Sequence, residues 1–173
     1  YKRQDQLIED RLRKLRVQTT RVADEYTWLR RVYLVTTGRI PTESEIDEYI
    51  SSREADKKDK LIQTLLSSPG HVSHQLNWLS DLLRVKDRLD GVNINIGGVY
   101  REYIRKQLET NVPWDKFVRG LLDSEGDYFG GNPAAGYYLR DRGMQQDNIA
   151  HTVQIFLGTR LECAMCHNHP FDR

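Results

Sequence analysis

Apolar residues recur at intervals of three and four along almost the whole chain, and this spacing is the strongest constraint on its fold. Such spacing places apolar side chains on one face of an α-helix, whereas a half-buried strand requires strict alternation. Alternation occurs only in residues 90–98, a stretch short enough to be either a strand or a loop. The sequence therefore predicts a mainly α, irregular multi-helix domain.

Turn and capping residues divide this pattern into separate helices. The broad apolar face of the second helix ends before Gly38, which suits a left-handed helix cap. Thr42, followed three residues later by Glu45, is a capping-box pattern that predicts the start of the next helix. Residues 126–143 are rich in Gly, Asn, Pro and Tyr, which predicts a long Gly/Asn-rich loop before a last helix over about Asp147 to Leu157.

The apolar pattern also indicates how the chain is organised. Residues 1–18 carry a narrow apolar stripe and predict an N-terminal helical arm, whereas residues 19–173 carry wider faces and predict the helical domain proper. Within that domain, residues 67–70 predict a break before a helix that starts at about Val72. The first residue is not Met and the last is Arg173, so we expect a fragment of a longer protein.

The charge balance argues against a nucleic-acid partner. Lys and Arg number 26 and Asp and Glu number 25 in 173 residues, and the basic residues are interleaved with apolar ones along helical faces. No window approaches the roughly 20 apolar residues of a membrane span. We therefore expect neither nucleic-acid binding nor a membrane span in this chain.

The chemistry of the chain is concentrated near its end, where its two cysteines, Cys163 and Cys166, are followed directly by His167. This Cys-x-x-Cys-His run is what covalent attachment of haem c requires. The two thiols add to the vinyl groups of the porphyrin, and the adjacent imidazole serves as the proximal iron ligand. The spacing is a strong signal of ligation and a weaker signal of which metal is bound.

Rival interpretations use the same residues. Cys163 and Cys166 could close a structural zinc site with two of four histidines, namely His167, His169, His71 and His74. Such a protein would be a non-enzymatic structural or interaction module. A redox disulfide fits less well, because that motif normally follows a strand in a βαβ unit and here a helix precedes it. Two plain buried thiols would leave the neighbouring imidazoles needing polar partners.

A haem iron has a sixth position, and its ligand would come from elsewhere in the chain. His169 is too close in sequence to His167 to reach the opposite face of the same haem easily, so a second site or a hydrogen bond to a propionate suits it better. The remaining candidates are His151 on the last helix, His71 and His74 on an earlier one, and Met144 in the loop.

The cysteine run and its surroundings resemble the planctomycete-type cytochrome-like domain family. The resemblance rests on the run from Phe156 to Arg173, on Leu29–Leu34 with the Thr37–Thr42 turn, and on Asn111–Arg119, so that it spans about residues 20–173. It implies an exported bacterial protein, periplasmic or otherwise extracytoplasmic. It also implies a c-type haem. We therefore expect one haem c and electron transfer with redox protein partners or within a larger complex. An electron carrier or an electron-transfer subunit is expected, rather than an enzyme with its own substrate.

Overall fold

A computed structural model describes residues 2–88 and 97–165 of the protein. In these ranges the chain is mainly helical and contains no strand, which confirms the predicted class. The α-helices are α1 (Lys2–Lys14), α2 (Glu25–Thr37), α3 (Glu43–Ser51), α4 (Lys57–Leu66), α5 (Pro69–Leu82), α6 (Gly97–Glu109), α7 (Trp114–Leu122), α8 (Gly136–Leu139) and α9 (Gln145–Leu157). Two short 3₁₀ helices, Pro133–Ala135 and Glu162–Met165, precede α8 and follow α9.

The alternating stretch 90–98 falls almost entirely outside the described residues, so its assignment stays open.

Among the helices that the structure does describe, none combines the length and apolar character needed to cross a membrane.

Helix boundaries differ from the sequence prediction in two places. The break expected at residues 67–70 is present but shorter, because α4 ends at Leu66 and α5 begins at Pro69 instead of at about Val72. The Ser68 hydroxyl caps α5 by accepting a hydrogen bond from the His71 N–H at 3.2 Å, and Pro69 suits the first helical position. The long loop expected at 126–143 contains a 3₁₀ helix and α8. Burial of Tyr137 on α8 explains why this Gly-rich stretch is ordered into a helical turn.

The chain divides into two compact units. The first comprises Tyr1–Val35 and Arg39–Ile62. In this unit the Trp28 and Tyr49 rings stack with their centroids 5.6 Å apart, and Lys57 lies over the Tyr49 ring. The predicted capping box is present, since Thr42 and Glu45 bond each other's backbone N–H groups at the start of α3.

The second unit comprises Thr36–Gly38 and Gln63–Arg173 and contains the largest cluster of buried side chains among the described residues. These are Leu76, Leu79 and Leu83 from α5 and its end, Tyr100 and Ile104 from α6, Phe117 and Leu121 from α7, and Tyr128 and Tyr137 from the segment before α9. The α5–α6 pair provides the most extensive helix packing in this unit.

Helix α9 is anchored to this core along one side. Phe156 packs against the rings of Trp114 and Tyr137, with centroid distances of 6.0 and 6.3 Å. Thr152 shares a hydrogen bond of 2.6 Å with the Tyr137 hydroxyl, and Asn148 is buried. These contacts determine which face of α9 is left for the segment that follows it.

Candidate cofactor-binding site

The first cysteine of the motif lies on a segment that turns back after α9. Gly158 ends the helix with a left-handed backbone, φ +67°, and its N–H bonds the Val153 carbonyl. The chain then enters the 3₁₀ helix Glu162–Met165, on which Cys163 is exposed. The other predicted ligands of the motif, Cys166, His167 and His169, lie outside the described residues.

The returning segment lies against the N-terminal half of α9. Leu161 and Ala164 line an open groove of about 230 Å³ together with Gln146, Ile149 and Ala150 of the helix. Those three helical residues are spaced i, i+3 and i+4, so they share one face. The position of Ala164 shows that the cysteine segment lies beside the first turns of α9, although this segment comes after the last residue of the helix, Leu157, in the sequence.

The groove face of α9 continues as an apolar stripe. Val153 and Leu157 follow Ile149 at helical spacing, and Ile149 and Leu157 are 58% and 73% exposed. Exposed aliphatic side chains in a row near an exposed thiol offer a surface that a flat, mostly apolar ring could cover. The residues present thus fit a porphyrin attached through Cys163.

His151 lies on α9 but not on this face. Its position is about 140° around the helix axis from Gln146, given 3.6 residues per turn. Its Nε2 is hydrogen-bonded to Nη1 of Arg84, which follows α5 and has a left-handed backbone with φ +53°. Because a guanidinium only donates, Nε2 of His151 accepts this bond and the ring proton sits on Nδ1.

His71 and His74 lie in the first half of α5 and contact residues 36–38. The Nδ1 atom of His71 is 2.8 Å from the Thr36 carbonyl oxygen. The ring of His74 lies against Gly38, where an added Cβ would be 2.5 Å from its Nδ1 atom. This close approach and φ +72° explain the glycine at position 38, so the predicted left-handed cap is confirmed.

The three histidine candidates contact two different parts of the fold: His71 and His74 contact residues 36–38, and His151 contacts Arg84. His74 precedes the end of α5 at Leu82 by eight residues, about 12 Å along a helix axis, and the Arg84 bond ties His151 to that far end. The structure therefore places His74 in the first half of α5 and the partner of His151 beyond its last residue. Across the described residues no three His, Cys, Asp or Glu side chains gather as a metal site, so Cys163 is not brought to His71 and His74.

Met144 is the candidate that precedes the groove along the chain. It is the residue immediately before α9, it is 53% exposed, and it lies two residues before Gln146, which lines the groove. Its long thioether side chain is flexible and starts from the helix end that the cysteine segment approaches.

A buried ionic network beside α9 was not predicted from the sequence. Arg140 and Asp141 form an ion pair of 2.7 Å, and Nδ2 of Asn148 donates to the same carboxylate at 3.3 Å. No local pattern separates Arg140 from Arg142, which is exposed. One of its partners, the Leu83 carbonyl oxygen, lies 57 residues earlier, so a local pattern could not indicate that Arg140 is buried.

Comparison with known proteins identifies a family for the chain. No curated protein and no solved structure matches the chain significantly. The model of the family PSCyt2, described as a protein of unknown function (DUF1549), matches residues 3–173, and the chain belongs to this family.

Proposed function

We propose that this protein is a c-type cytochrome that carries one haem, held by thioether bonds to Cys163 and Cys166 and by His167 as proximal ligand. The observation that carries the proposal is the position of Cys163, exposed on a segment folded back along an apolar groove of α9. A thiol destined for covalent attachment must be accessible, and the attached ring needs apolar surface beside it. When bound, the haem supplies a one-electron iron couple.

Electron transfer outside the cytoplasm is the role that suits this arrangement. The motif, the cytochrome-like name of the family and the expected export of its members all support a redox protein that works with protein partners or within a larger complex. The described residues that line the groove are apolar apart from Gln146, and none of them is an acid, a base or a nucleophile. We therefore propose an electron carrier or subunit and no substrate of its own.

Met144 is the sixth-ligand candidate that the surroundings of the groove support best. His151 accepts a bond from Arg84 through the nitrogen that usually ligates iron, and it lies off the groove face. His71 is bonded to the Thr36 carbonyl. Met144 is half exposed just before α9 and two residues before Gln146, and a Met–His pair of axial ligands is typical of cytochromes with a raised reduction potential.

The first experiment is to express the full chain with an export signal in a bacterium that matures c-type cytochromes. We expect a red protein whose Soret band stays with the polypeptide after extraction with acidic acetone. The variants Cys163→Ala and Cys166→Ala should each weaken the covalent link, because one thioether bond is then missing.

The same preparation tests the alternative of a structural zinc site. A zinc module would be colourless, would contain about one zinc per chain and would lose it to a chelator. A correctly exported and folded protein that stays colourless in a host competent for haem attachment would contradict the cytochrome proposal.

A further inference from the structure

The hydroxyl of Tyr100 is a buried polar group with no hydrogen-bond partner among the described residues. Tyr100 lies in the first turn of α6 and is 3% exposed. Its backbone N–H is satisfied by the Tyr128 hydroxyl at 2.9 Å, so only the side-chain oxygen is left over. Burial raises the pKa of Tyr100 and keeps the hydroxyl protonated, and a neutral buried hydroxyl still needs a partner.

A small cavity adjoins Tyr100. Tyr100, Tyr128, Gly97, Gly136 and Arg140 contribute to its lining, and its volume is about 10 Å³. A space of roughly 10–15 Å³ holds one water molecule. It is too small for an inorganic anion such as phosphate or for any organic ligand.

Arg140 lines the same cavity and has hydrogen-bond donors without a partner among the described residues. Of its five N–H groups, three have partners: Nε bonds Asp141, Nη1 bonds the Leu83 carbonyl and Nη2 bonds the Tyr137 hydroxyl. Two N–H groups of a guanidinium that is almost fully buried therefore lack a partner among the described residues. Its positive charge also acts on Tyr100, where it opposes the effect of burial on the pKa.

We propose that one ordered water occupies this cavity and bridges the Tyr100 hydroxyl to the guanidinium of Arg140. The water accepts an N–H bond from Arg140 and exchanges one bond with Tyr100. A buried water typically makes about three such bonds to groups that otherwise have none. The site is independent of the haem and belongs to the core of the second unit.

The bridging water links α6 to the network that orients α9. Arg140 donates a hydrogen bond to the Leu83 carbonyl at the end of α5. It also pairs with the Asp141 carboxylate, which accepts a hydrogen bond from Asn148 of α9. Through the water, Tyr100 becomes the member of this network that lies on α6. Removal of the Tyr100 hydroxyl should therefore destabilise the protein, because it breaks a hydrogen bond to the water. Without the water, the same change would remove an unsatisfied polar group and would not destabilise the protein.

A high-resolution crystal structure of the full chain tests the site directly. We expect a solvent peak within hydrogen-bond distance of both the Tyr100 oxygen and the Arg140 guanidinium. In Tyr100→Phe the peak should weaken or vanish, and the melting temperature should fall by roughly 2–4 °C, as expected for the loss of about one buried hydrogen bond.

Tyr49→Phe is the matched control, because the Tyr49 hydroxyl of the first unit is also buried without a partner among the described residues. Where no water bridges such a hydroxyl, its removal should leave the melting temperature unchanged or raise it. An empty cavity, a cavity filled by a side chain of residues 89–96, or an equal response of the two variants would overturn the proposal.

Discussion

Arg140 and Asp141 are neighbours in sequence and form an ion pair of 2.7 Å whose side chains are only 1% and 3% exposed. Burying two charges is costly, and the cost is offset here by additional bonds to the Leu83 carbonyl, the Tyr137 hydroxyl and Asn148. Arg140 also stacks on the Tyr137 ring, with its Cζ atom 4.4 Å from the centroid. The pair thus joins the end of α5, α8 and α9 at one buried point.

Arg140→Met should destabilise the protein by about 3–5 kcal/mol, because it leaves the Asp141 carboxylate buried without its counter-charge. Adding Asp141→Asn should recover a large part of that loss, since the remaining side chain is neutral. The measurement is urea denaturation followed by circular dichroism. Arg142→Met, a neighbouring exposed arginine, should change the free energy of unfolding by less than about 0.5 kcal/mol. Similar losses in both single variants would show that burial of the pair does not matter.

Local signals predicted the helices well, and distant contacts explain what was missed. The capping box of Thr42 and Glu45 acts within four residues, so the sequence alone was enough to predict the start of α3. The partner of His151 is Arg84, 67 residues away, and no local pattern could indicate that this histidine is engaged. The ligands Cys166, His167 and His169 stay predictions, because they lie outside the described residues.

Met144→Ala should remove the sixth ligand of the haem if the proposed coordination is right. We expect the ferric protein to lose the weak long-wavelength absorption that accompanies Met–iron ligation, and to bind added imidazole or cyanide more readily. The His151→Ala variant should keep the wild-type spectrum, because its ring is engaged with Arg84 and lies off the groove face.

Met165→Leu is the control for this experiment, since Met144 and Met165 are the two methionines of the chain. It should leave the axial-ligand spectrum unchanged. Loss of the Met–iron absorption in Met165→Leu, or a changed axial-ligand spectrum in a His71 or His74 variant, would contradict Met144 as the ligand. The haem proposal itself would stand as long as the protein is red.

Ile149→Asp should lower the midpoint potential of the bound haem. It replaces an apolar side chain that lines the groove with a carboxylate, and negative charge and water near a haem both favour the ferric state. We expect a decrease on the order of 60 mV, which is a tenfold change in the equilibrium of a one-electron couple. Redox titration in the visible region measures it.

The matched control is Ile40→Asp, because Ile40 of the first unit is 56% exposed and Ile149 is 58% exposed. The two variants change the net charge equally, so a general charge effect would move both potentials together. A change confined to Ile149→Asp would place the haem at the groove, whereas equal changes would contradict that location.

Glu45 should make the first unit sensitive to acid. Two hydrogen bonds from the Arg39 guanidinium, at 2.6 and 2.7 Å, together with bonds from the Thr42 backbone and hydroxyl, lower the pKa of Glu45 from 4.5 to about 2. A carboxyl group whose pKa is lower in the folded state stabilises the fold above its unfolded pKa. The stabilisation is therefore complete above about pH 4.5 and is lost as the pH falls toward 2.

Glu45→Gln should be less stable than the wild type by about 1 kcal/mol at neutral pH, the usual value of a helix cap. The difference should shrink between pH 4.5 and 2, where the wild-type carboxyl becomes protonated. Glu43→Gln, which removes a charge from the same helical turn, should show little of this dependence because Glu43 is exposed. Free energies of unfolding measured across this pH range provide the check. Parallel curves for the wild type and Glu45→Gln would mean that the Arg39–Glu45 pair contributes nothing to acid stability.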